Sequence, residues 1–251
     1  MMKHMKKHPT KPPREMYFHG DDDKEFNLES MRKYARTKPE LDKTLETMIA
    51  PYVTGAPHIL DACCGIGYLA HNLHTSFPRA SFLGIDETPY LIKEALALFG
   101  SDTNLQFKVG DLYTLKKTYP KAFDISICWK TLSWLPSYED ALDNLLAATR
   151  SHIFISSLFY DGDIDFEIRV TEHLKKRSAT RHNIYSLPRL TRFLKTRKVR
   201  RIASTDFNID IDLPRGSPDH MGTYTVRLED GKRLQMSGAL PMPWKIVHIE
   251  L

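Results

Sequence analysis

The sequence predicts an α/β fold in which a doubly wound, mostly parallel sheet carries helices on both faces. Three observations support this prediction. Short apolar runs typical of buried strands alternate with helical patterns between residues 58 and 158. The first strand passes into a helix through two glycines, and later strands end in carboxylates. Strand, helix, strand, helix in this order indicates parallel pairing with right-handed crossovers.

Composition limits the class of protein. A chain of 251 residues can bury a full core, and we expect a single domain at 25–251 behind a flexible polar tail at 1–24. No apolar run approaches the roughly 18 residues that cross a bilayer, and no secretion signal is seen, so we expect a cytoplasmic protein. Three cysteines cannot form a disulfide framework, and no Cys/His spacing fits zinc. We therefore expect reduced thiols and no metal.

The turn after the first strand, 58–62, has the character of a ligand site. Gly65 and Gly67 allow unusual backbone torsions and close approach of a ligand, and the helix that follows offers unpaired N–H groups. The second strand, 81–86, ends at Asp86, about 20 residues downstream, where folds of this kind bind ribose hydroxyls. The two features together predict a nucleoside cofactor.

Asp61 discriminates between two such cofactors. A dinucleotide places its pyrophosphate at the helix N-terminus, which must then be free of nearby negative charge. A carboxylate directly before the turn favours a cationic ligand, and S-adenosylmethionine carries a sulfonium and an ammonium. The spacing Gly65-x-Gly67-x-x-Ala70 also fits a dinucleotide fingerprint, so a nicotinamide-binding oxidoreductase stays open as an alternative.

The series Asp61, Cys63, Gly65, Gly67 resembles the first motif of the class I S-adenosylmethionine-dependent methyltransferases, which is an acid followed by three alternating glycines. Cys63 replaces the first of these glycines, and we expect an ordinary backbone conformation there. The strand that ends in Gly110-Asp111 is similar to the third motif of the family, whose acid accepts a hydrogen bond from the adenine amine. The resemblance covers roughly residues 58–158.

This resemblance implies a Rossmann-like sheet of seven strands in the order 3-2-1-4-5-7-6 with the last strand antiparallel, an N-terminal helical cap at 25–54 and an inserted β-hairpin. It implies S-adenosyl-L-methionine as the cofactor. The cofactor-binding candidates are Asp61, Cys63, Gly65, Gly67, Asp86, Glu87, Asp111, Leu112, Cys128 and Trp129.

The rest of the chain continues the alternation and then becomes less regular. The predicted elements are crossover helices between Gly67 and Asp86 and at 88–99, a fourth strand at 122–128, a helix from about Tyr138, a fifth strand at 153–158, a helix at 186–194 with Ser186 as N-cap, a sixth strand at 199–209, a hairpin of 223–228 with 233–236, and a last strand at 244–249. The segments 160–186 and 207–240 are predicted to be insertions on the substrate side.

Catalytic residues are hard to predict, because methyl transfer from a sulfonium is an in-line displacement that depends largely on positioning. Weak candidates for a general base or a contact residue are His220, Tyr185 and His19, with His182 beside them. The positions after the fourth strand read Cys128-Trp129-Lys130-Thr131. They lack the Asn/Asp-Pro-Pro-Tyr/Phe motif of amine methyltransferases, the proline before the cysteine of cytosine-5 enzymes, and the acids of metal-assisted enzymes.

The sequence therefore predicts a methyltransferase, a transferase that acts on a small or medium-sized acceptor. An alternative within the family is an RNA or protein methyltransferase that uses the basic helix at 189–201, since the formal charge is +5 and the pI about 9.0. Beyond the family, the nicotinamide oxidoreductase and a catalytically silent subunit remain open. The sequence indicates neither the acceptor nor the oligomeric state.

Overall fold

The computed structural model describes residues 28–29, 31–32, 37–173, 180–219 and 221–251. The strands are β1 His58–Ala62, β2 Ser81–Asp86, β3 Leu105–Val109, β4 Phe123–Trp129, β5 Thr149–Tyr160, β6 Arg169–Val170, β7 Thr180–Arg181, β8 Tyr185–Ser186, β9 Arg201–Asp206, β10 Thr223–Arg227, β11 Arg233–Ser237, β12 Leu240–Pro241 and β13 Trp244–Glu250. The helices are α1 Glu40–Ile49, α2 Tyr68–Ser76, α3 Pro89–Phe99, α4 Leu115–Thr118, α5 Glu139–Ala148 and α6 Leu187–Thr196, with 3-10 turns at Ala50–Tyr52, Leu112–Thr114 and Leu132–Trp134.

The main sheet has the order β3-β2-β1-β4-β5-β13-β9. The first five strands are parallel, and β13 is antiparallel to both β5 and β9. This confirms the predicted order 3-2-1-4-5-7-6. The sheet differs from the prediction by one short strand, β8, which pairs in parallel with the end of β5.

Both faces of the sheet are covered, which explains why its central strands are largely apolar. One face packs against α1, α2 and α3, and the other packs against α4, α5 and α6. On α1, Leu41, Leu45 and Ile49 recur at a spacing of four residues and are all buried. The core therefore forms two layers around one sheet, as expected for a doubly wound fold.

The predicted sixth strand was too long. It spans Arg201–Asp206 instead of 199–209. Lys198 takes a left-handed φ of 58° as the chain leaves α6, so ladder pairing with β13 begins only after that turn. At the other end, Phe207 N–H donates to the Trp244 carbonyl, after which the chain leaves the sheet.

The inserted hairpin is confirmed. Strands β10 and β11 pair antiparallel from Thr223↔Ser237 to Arg227↔Arg233, and Gly231 in the connecting turn has a φ of 82°. Strand β12 adds a third strand to this small sheet.

None of the helices in the described part of the chain has the length and apolar character that crossing a membrane requires.

Candidate active site

The turn between β1 and α2 has a left-handed backbone at three alternating positions. The φ angles are 63° at Cys63, 57° at Gly65 and 79° at Gly67. The prediction of an ordinary backbone at Cys63 is therefore wrong. A left-handed conformation costs a non-glycine residue about 1–2 kcal/mol, and the turn keeps its geometry here although a cysteine occupies the first position.

Gly67 is required by packing as well as by φ. A Cβ at this position would lie 2.4 Å from Cε1 of Phe107, a residue of β3. The same ring is 2.6 Å from where a Cβ of Gly84, in β2, would lie. The Phe107 ring thus fills the space left by two glycines and fixes the turn against the strands.

Asp86 joins the end of β2 to the turn. Its Oδ2 accepts a hydrogen bond of 3.0 Å from Gly65 N–H, and its Oδ1 accepts one of 2.9 Å from Thr88 N–H. The side chain is buried, and burial raises the pKa of this carboxyl, whereas the two backbone donors lower it. Thr88 is the N-cap of α3, although its side chain makes no capping bond.

Asp61 is the least compensated acid of the site. Only 1% of it is exposed, and its Oδ2 has no hydrogen-bond partner in the described part of the chain. Burial raises the pKa of Asp61 to about 8, and the charges of Asp42 and Asp86 contribute to the same increase. A buried carboxylate is stable only when it is paired or protonated, so this position favours a cation.

Asp42, on α1, also belongs to this cluster, and the sequence analysis missed it. Trp129 Nε1 donates a hydrogen bond of 2.7 Å to Asp42 Oδ1, and Lys130 Nζ lies 3.1 Å from the same oxygen. Asp42 Oδ2 is buried without a partner among the described residues. One signal was present in the sequence: Asp42 lies at i, i+3 and i+7 with Leu45 and Ile49, on the buried stripe of the helix.

The end of β3 lies beside the end of β2. Gly110 N–H donates to the Asp86 carbonyl at 3.0 Å. Asp111 then caps the 3-10 turn, and its Oδ1 accepts from Tyr113 N–H at 2.9 Å. Leu112 is buried, and Glu87 is half-buried at the start of α3. The predicted acids thus follow adjacent strands at one edge of the sheet.

Cys128 and Trp129 end β4 at the same edge, where Cys128 pairs with Ala62. Both side chains are buried. Burial, followed by the charge of Asp61, raises the pKa of the Cys128 thiol to about 12. The thiol is therefore neutral near pH 7, which does not favour a nucleophilic role.

Helical residues at the N-terminal side pack against this turn. Leu28 forms a small core cluster with Ile66 and Leu91, and Met31 packs against it. Met31 Sδ lies 3.9 Å from where a Cβ of Gly65 would be. These contacts place Leu28 and Met31, within the predicted cap at 25–54, beside the glycine turn.

Of the proposed catalytic side chains, Tyr185 and His182 are among the described residues, and their recorded contacts lie outside this cluster. Tyr185 is buried, and its hydroxyl donates to the Leu135 carbonyl, which is a structural contact. His182 is buried with its ring centroid 5.0 Å from that of Trp134, and burial lowers its pKa. His19 and His220 lie outside the described residues.

No group of three or more metal-ligating side chains occurs within 37–173, 180–219 and 221–251 or the few helical residues before them.

Comparison with known proteins gives one family match. A family model described as a methyltransferase domain matches residues 59–152. The chain is 30% identical over 79 residues to malonyl-[acyl-carrier protein] O-methyltransferase of Halalkalibacterium halodurans, and this match covers 31% of the chain and 29% of that protein. It is 30% identical over 113 residues to trans-aconitate 2-methyltransferase of Deinococcus radiodurans, covering 45% and 40%. The chain thus spans less than half the length of these curated relatives.

Solved structures extend the likeness of the fold to most of the chain. DhpI in its complex with SAH (S-adenosylhomocysteine) has a TM-score of 0.56 at 15% identity, and the match covers 91% of this chain and 94% of that one. YcgJ of Bacillus subtilis has a TM-score of 0.52 at 12% identity, covering 82% and 97%. The fold beyond residue 152 therefore also has counterparts of known structure.

Proposed function

We propose that this chain, a member of the class I methyltransferase family by its sequence motifs and fold, is an S-adenosylmethionine-dependent methyltransferase that acts on a small or medium-sized acceptor. The observation that carries the proposal is the buried Asp61, whose Oδ2 has no partner among the described residues and which directly precedes the left-handed turn. A cationic sulfur nucleoside would supply the missing positive charge.

The residues of the site fit the parts of this cofactor. Asp86 would accept hydrogen bonds from the ribose hydroxyls, since each carboxylate oxygen keeps capacity beyond its one backbone donor. Asp111 and Leu112 would lie at the adenine, and Asp61 would face the charged amino-acid end. Glu87 serves either as a second ribose-side acid or as a favourable charge at the start of α3. When bound, S-adenosylmethionine supplies the electrophilic methyl group.

The chain's own contribution to the reaction is positioning and exclusion of water. The carboxyl ends of β1 to β4 are held in register, so a ligand placed across them is fixed from several sides. Orientation of this kind can supply several kcal/mol of an in-line displacement barrier without a catalytic acid or base. The buried Cys128 and Trp129 would provide an apolar wall where the strand ends.

The proposal favours small acceptors because the basic helix is largely neutralised. Arg192 Nη2 lies 2.5 Å from Asp163 Oδ1, and Arg189 pairs with Asp165. Further along, Arg197 Nε lies 2.8 Å from Asp143 Oδ1. Arginines that are already paired with carboxylates are poorly placed to bind phosphates, which argues against an RNA acceptor.

The two curated relatives are named for malonyl-[acyl-carrier protein] and trans-aconitate, so acceptors of that kind are the first to test.

The two insertions are the proposed acceptor side. They contact one another where Met221 N–H donates to Glu172 Oε1 at 2.7 Å. A cavity of about 330 Å³ lies between them, lined by residues that include Glu172, His173 and Asp219. His182, in the first insertion, contacts Trp134 after β4, which links the insertions to the carboxyl edge of the sheet.

The test is calorimetric titration with S-adenosylhomocysteine. Wild type should bind in the micromolar range, Asp86→Asn should bind much more weakly, and Asp143→Asn, at a half-buried position on α5, should serve as the matched control. The proposal is contradicted if wild type does not bind S-adenosylhomocysteine, or if Asp86→Asn binds it with the affinity of wild type. NADH binding in the absence of S-adenosylhomocysteine binding would favour the oxidoreductase.

Two further measurements test the RNA methyltransferase and the catalytically silent subunit. RNA affinity that falls steeply between low and moderate salt would favour the nucleic-acid enzyme, since phosphate contacts release counterions. Copurification with an obligate second chain, without measurable cofactor binding, would favour the catalytically silent subunit.

A further inference from the structure

Two buried carboxylates from different parts of the chain, within electrostatic range of each other, each have an oxygen without a partner among the described residues. Asp42 comes from α1 and Asp61 from β1, and the Oδ2 atom of each has no hydrogen-bond partner among the described residues. They are close enough for the charge of Asp42 to raise the pKa of Asp61. Two like charges buried within electrostatic range of each other are unfavourable unless a positive charge compensates them.

Asp42 is held firmly by its other oxygen. Its Oδ1 accepts the Trp129 indole N–H at 2.7 Å and faces Lys130 Nζ at 3.1 Å. The helix that carries it is anchored in the core through Leu41 and Leu45. Because Oδ1 is engaged and the helix is fixed, Oδ2 has a set direction and is available to a ligand.

The local charge balance indicates what this ligand carries. Within the described part of the chain, Lys130 pairs with Asp42, whereas neither Asp61 nor Asp86 forms an ion pair. An ammonium offers three donors and forms short, charge-assisted bonds with carboxylate oxygens. It can therefore bridge two of these acids, which a neutral group cannot do with comparable energy.

We infer that Asp42 is a second binding residue for the cofactor, and that Asp42 Oδ2 and Asp61 Oδ2 together bind the ammonium at its amino-acid end. This inference rests on the proposed function and adds α1 to the cofactor site. Lys130, whose side chain is about one-third exposed, then neutralises Asp42 from the opposite oxygen.

The experiment compares two ligands on the same proteins. S-Adenosylhomocysteine carries the amino-acid end, whereas 5′-methylthioadenosine keeps the nucleoside and the sulfur but lacks it. Asp42→Asn should lower the affinity for S-adenosylhomocysteine about 10- to 100-fold, the range expected for losing one charged hydrogen bond, and leave the affinity for 5′-methylthioadenosine unchanged. Glu40→Gln, two residues earlier on the same helix, is the matched control and should change neither affinity.

Three outcomes separate the claims. Equal affinity of Asp42→Asn and wild type for S-adenosylhomocysteine overturns the inference and leaves the proposed function intact. Equal loss of both ligands assigns Asp42 a purely structural role and also overturns it. If wild type binds neither ligand, the proposed function itself fails.

A ligand-side measurement does not depend on how well the variant folds. A deamino analogue of S-adenosylhomocysteine, tested on wild type, should bind at least about 10-fold more weakly than the parent compound, and equal binding contradicts the inference. Asparagine at position 42 keeps an oxygen for the Trp129 indole, so we expect the variant to fold.

Proton release is a further readout. Asp61 is surrounded by Asp42 of α1, Asp86 of β2 and the thiols of Cys63, Cys64 and Cys128. An ammonium beside it favours its charged form, so binding of S-adenosylhomocysteine near pH 7 should release a proton, measurable in buffers of different ionisation enthalpy. The absence of proton release on binding near pH 7 contradicts an ammonium beside Asp61.

Discussion

Replacing Asp61 by asparagine should make the ligand-free protein more stable while it removes cofactor binding. Burial and two neighbouring acids raise the pKa of Asp61 from 3.8 to about 8 in the folded protein. Each pKa unit corresponds to about 1.4 kcal/mol, so the ionised form destabilises the folded state by roughly 6 kcal/mol at alkaline pH. An asparagine has nothing to ionise and avoids this penalty.

The sign and the pH range follow from the direction of the shift. A folded-state pKa above the unfolded value means that the folded protein retains a proton that the unfolded chain loses. The stability that this proton provides is complete below about pH 4 and is lost as the pH rises through about 8. The advantage of Asp61→Asn should therefore grow by about 1.4 kcal/mol per pH unit across this range and level off above it.

The assay is urea unfolding of wild type and Asp61→Asn at several pH values, followed by far-UV circular dichroism. Asp143→Asn controls for the change in net charge, because Asp143 lies on the surface and pairs with Arg197. A wild type that is the more stable protein throughout, or a difference that does not grow with pH, refutes the reasoning. Titration with S-adenosylhomocysteine should then stabilise wild type and leave Asp61→Asn unaffected.

Three further predictions concern stability and role. Gly67→Ala should destabilise the protein by at least about 2 kcal/mol in urea unfolding, because the φ is left-handed and the new Cβ meets the Phe107 ring, whereas Gly216→Ala, with open space around it, should be tolerated. Tyr185→Phe should cost about 1–2 kcal/mol by losing its bond to the Leu135 carbonyl and leave the methyl-transfer rate unchanged; a large fall in rate with normal stability would instead give Tyr185 a catalytic role. Burial lowers the pKa of His248 to about 4, so stability should be lost as the pH falls from about 6.5 towards 4, and His248→Phe, which can keep the stack on Phe154, should remove about 2 kcal/mol of that loss, as measured by thermal or urea unfolding near both pH values.

The parts of the fold that sequence could predict depend on local patterns. Apolar runs and crossover helices determined the parallel strands, and the spacing from Asp61 to Gly67 located the turn. The order of the strands came from the family resemblance, and the short β8 had no signal because two residues carry no periodicity. The left-handed conformation of Cys63 could not be predicted from that residue alone, because the geometry belongs to the whole turn.

The parts that could not be predicted are long-range pairings. Asp42 and Trp129 are 87 positions apart, and only the packed fold brings the indole to the carboxylate. The sequence shows basic residues on α6 and acidic residues after β5. Nothing in it, however, indicates that Arg189 pairs with Asp165 or Arg192 with Asp163. Burial of the acids was equally hidden, because the sequence shows a charge but not whether water reaches it.

The Phe107 ring makes three distant positions interdependent. The ring occupies the space left by Gly67 and Gly84. Any side chain added at either glycine must therefore displace this ring, which belongs to β3. An engineer who wishes to reshape this turn should therefore vary all three positions together, with a smaller ring wherever Gly67 or Gly84 is enlarged. A library that enlarges Gly67 alone would place each new side chain against an unchanged aromatic ring.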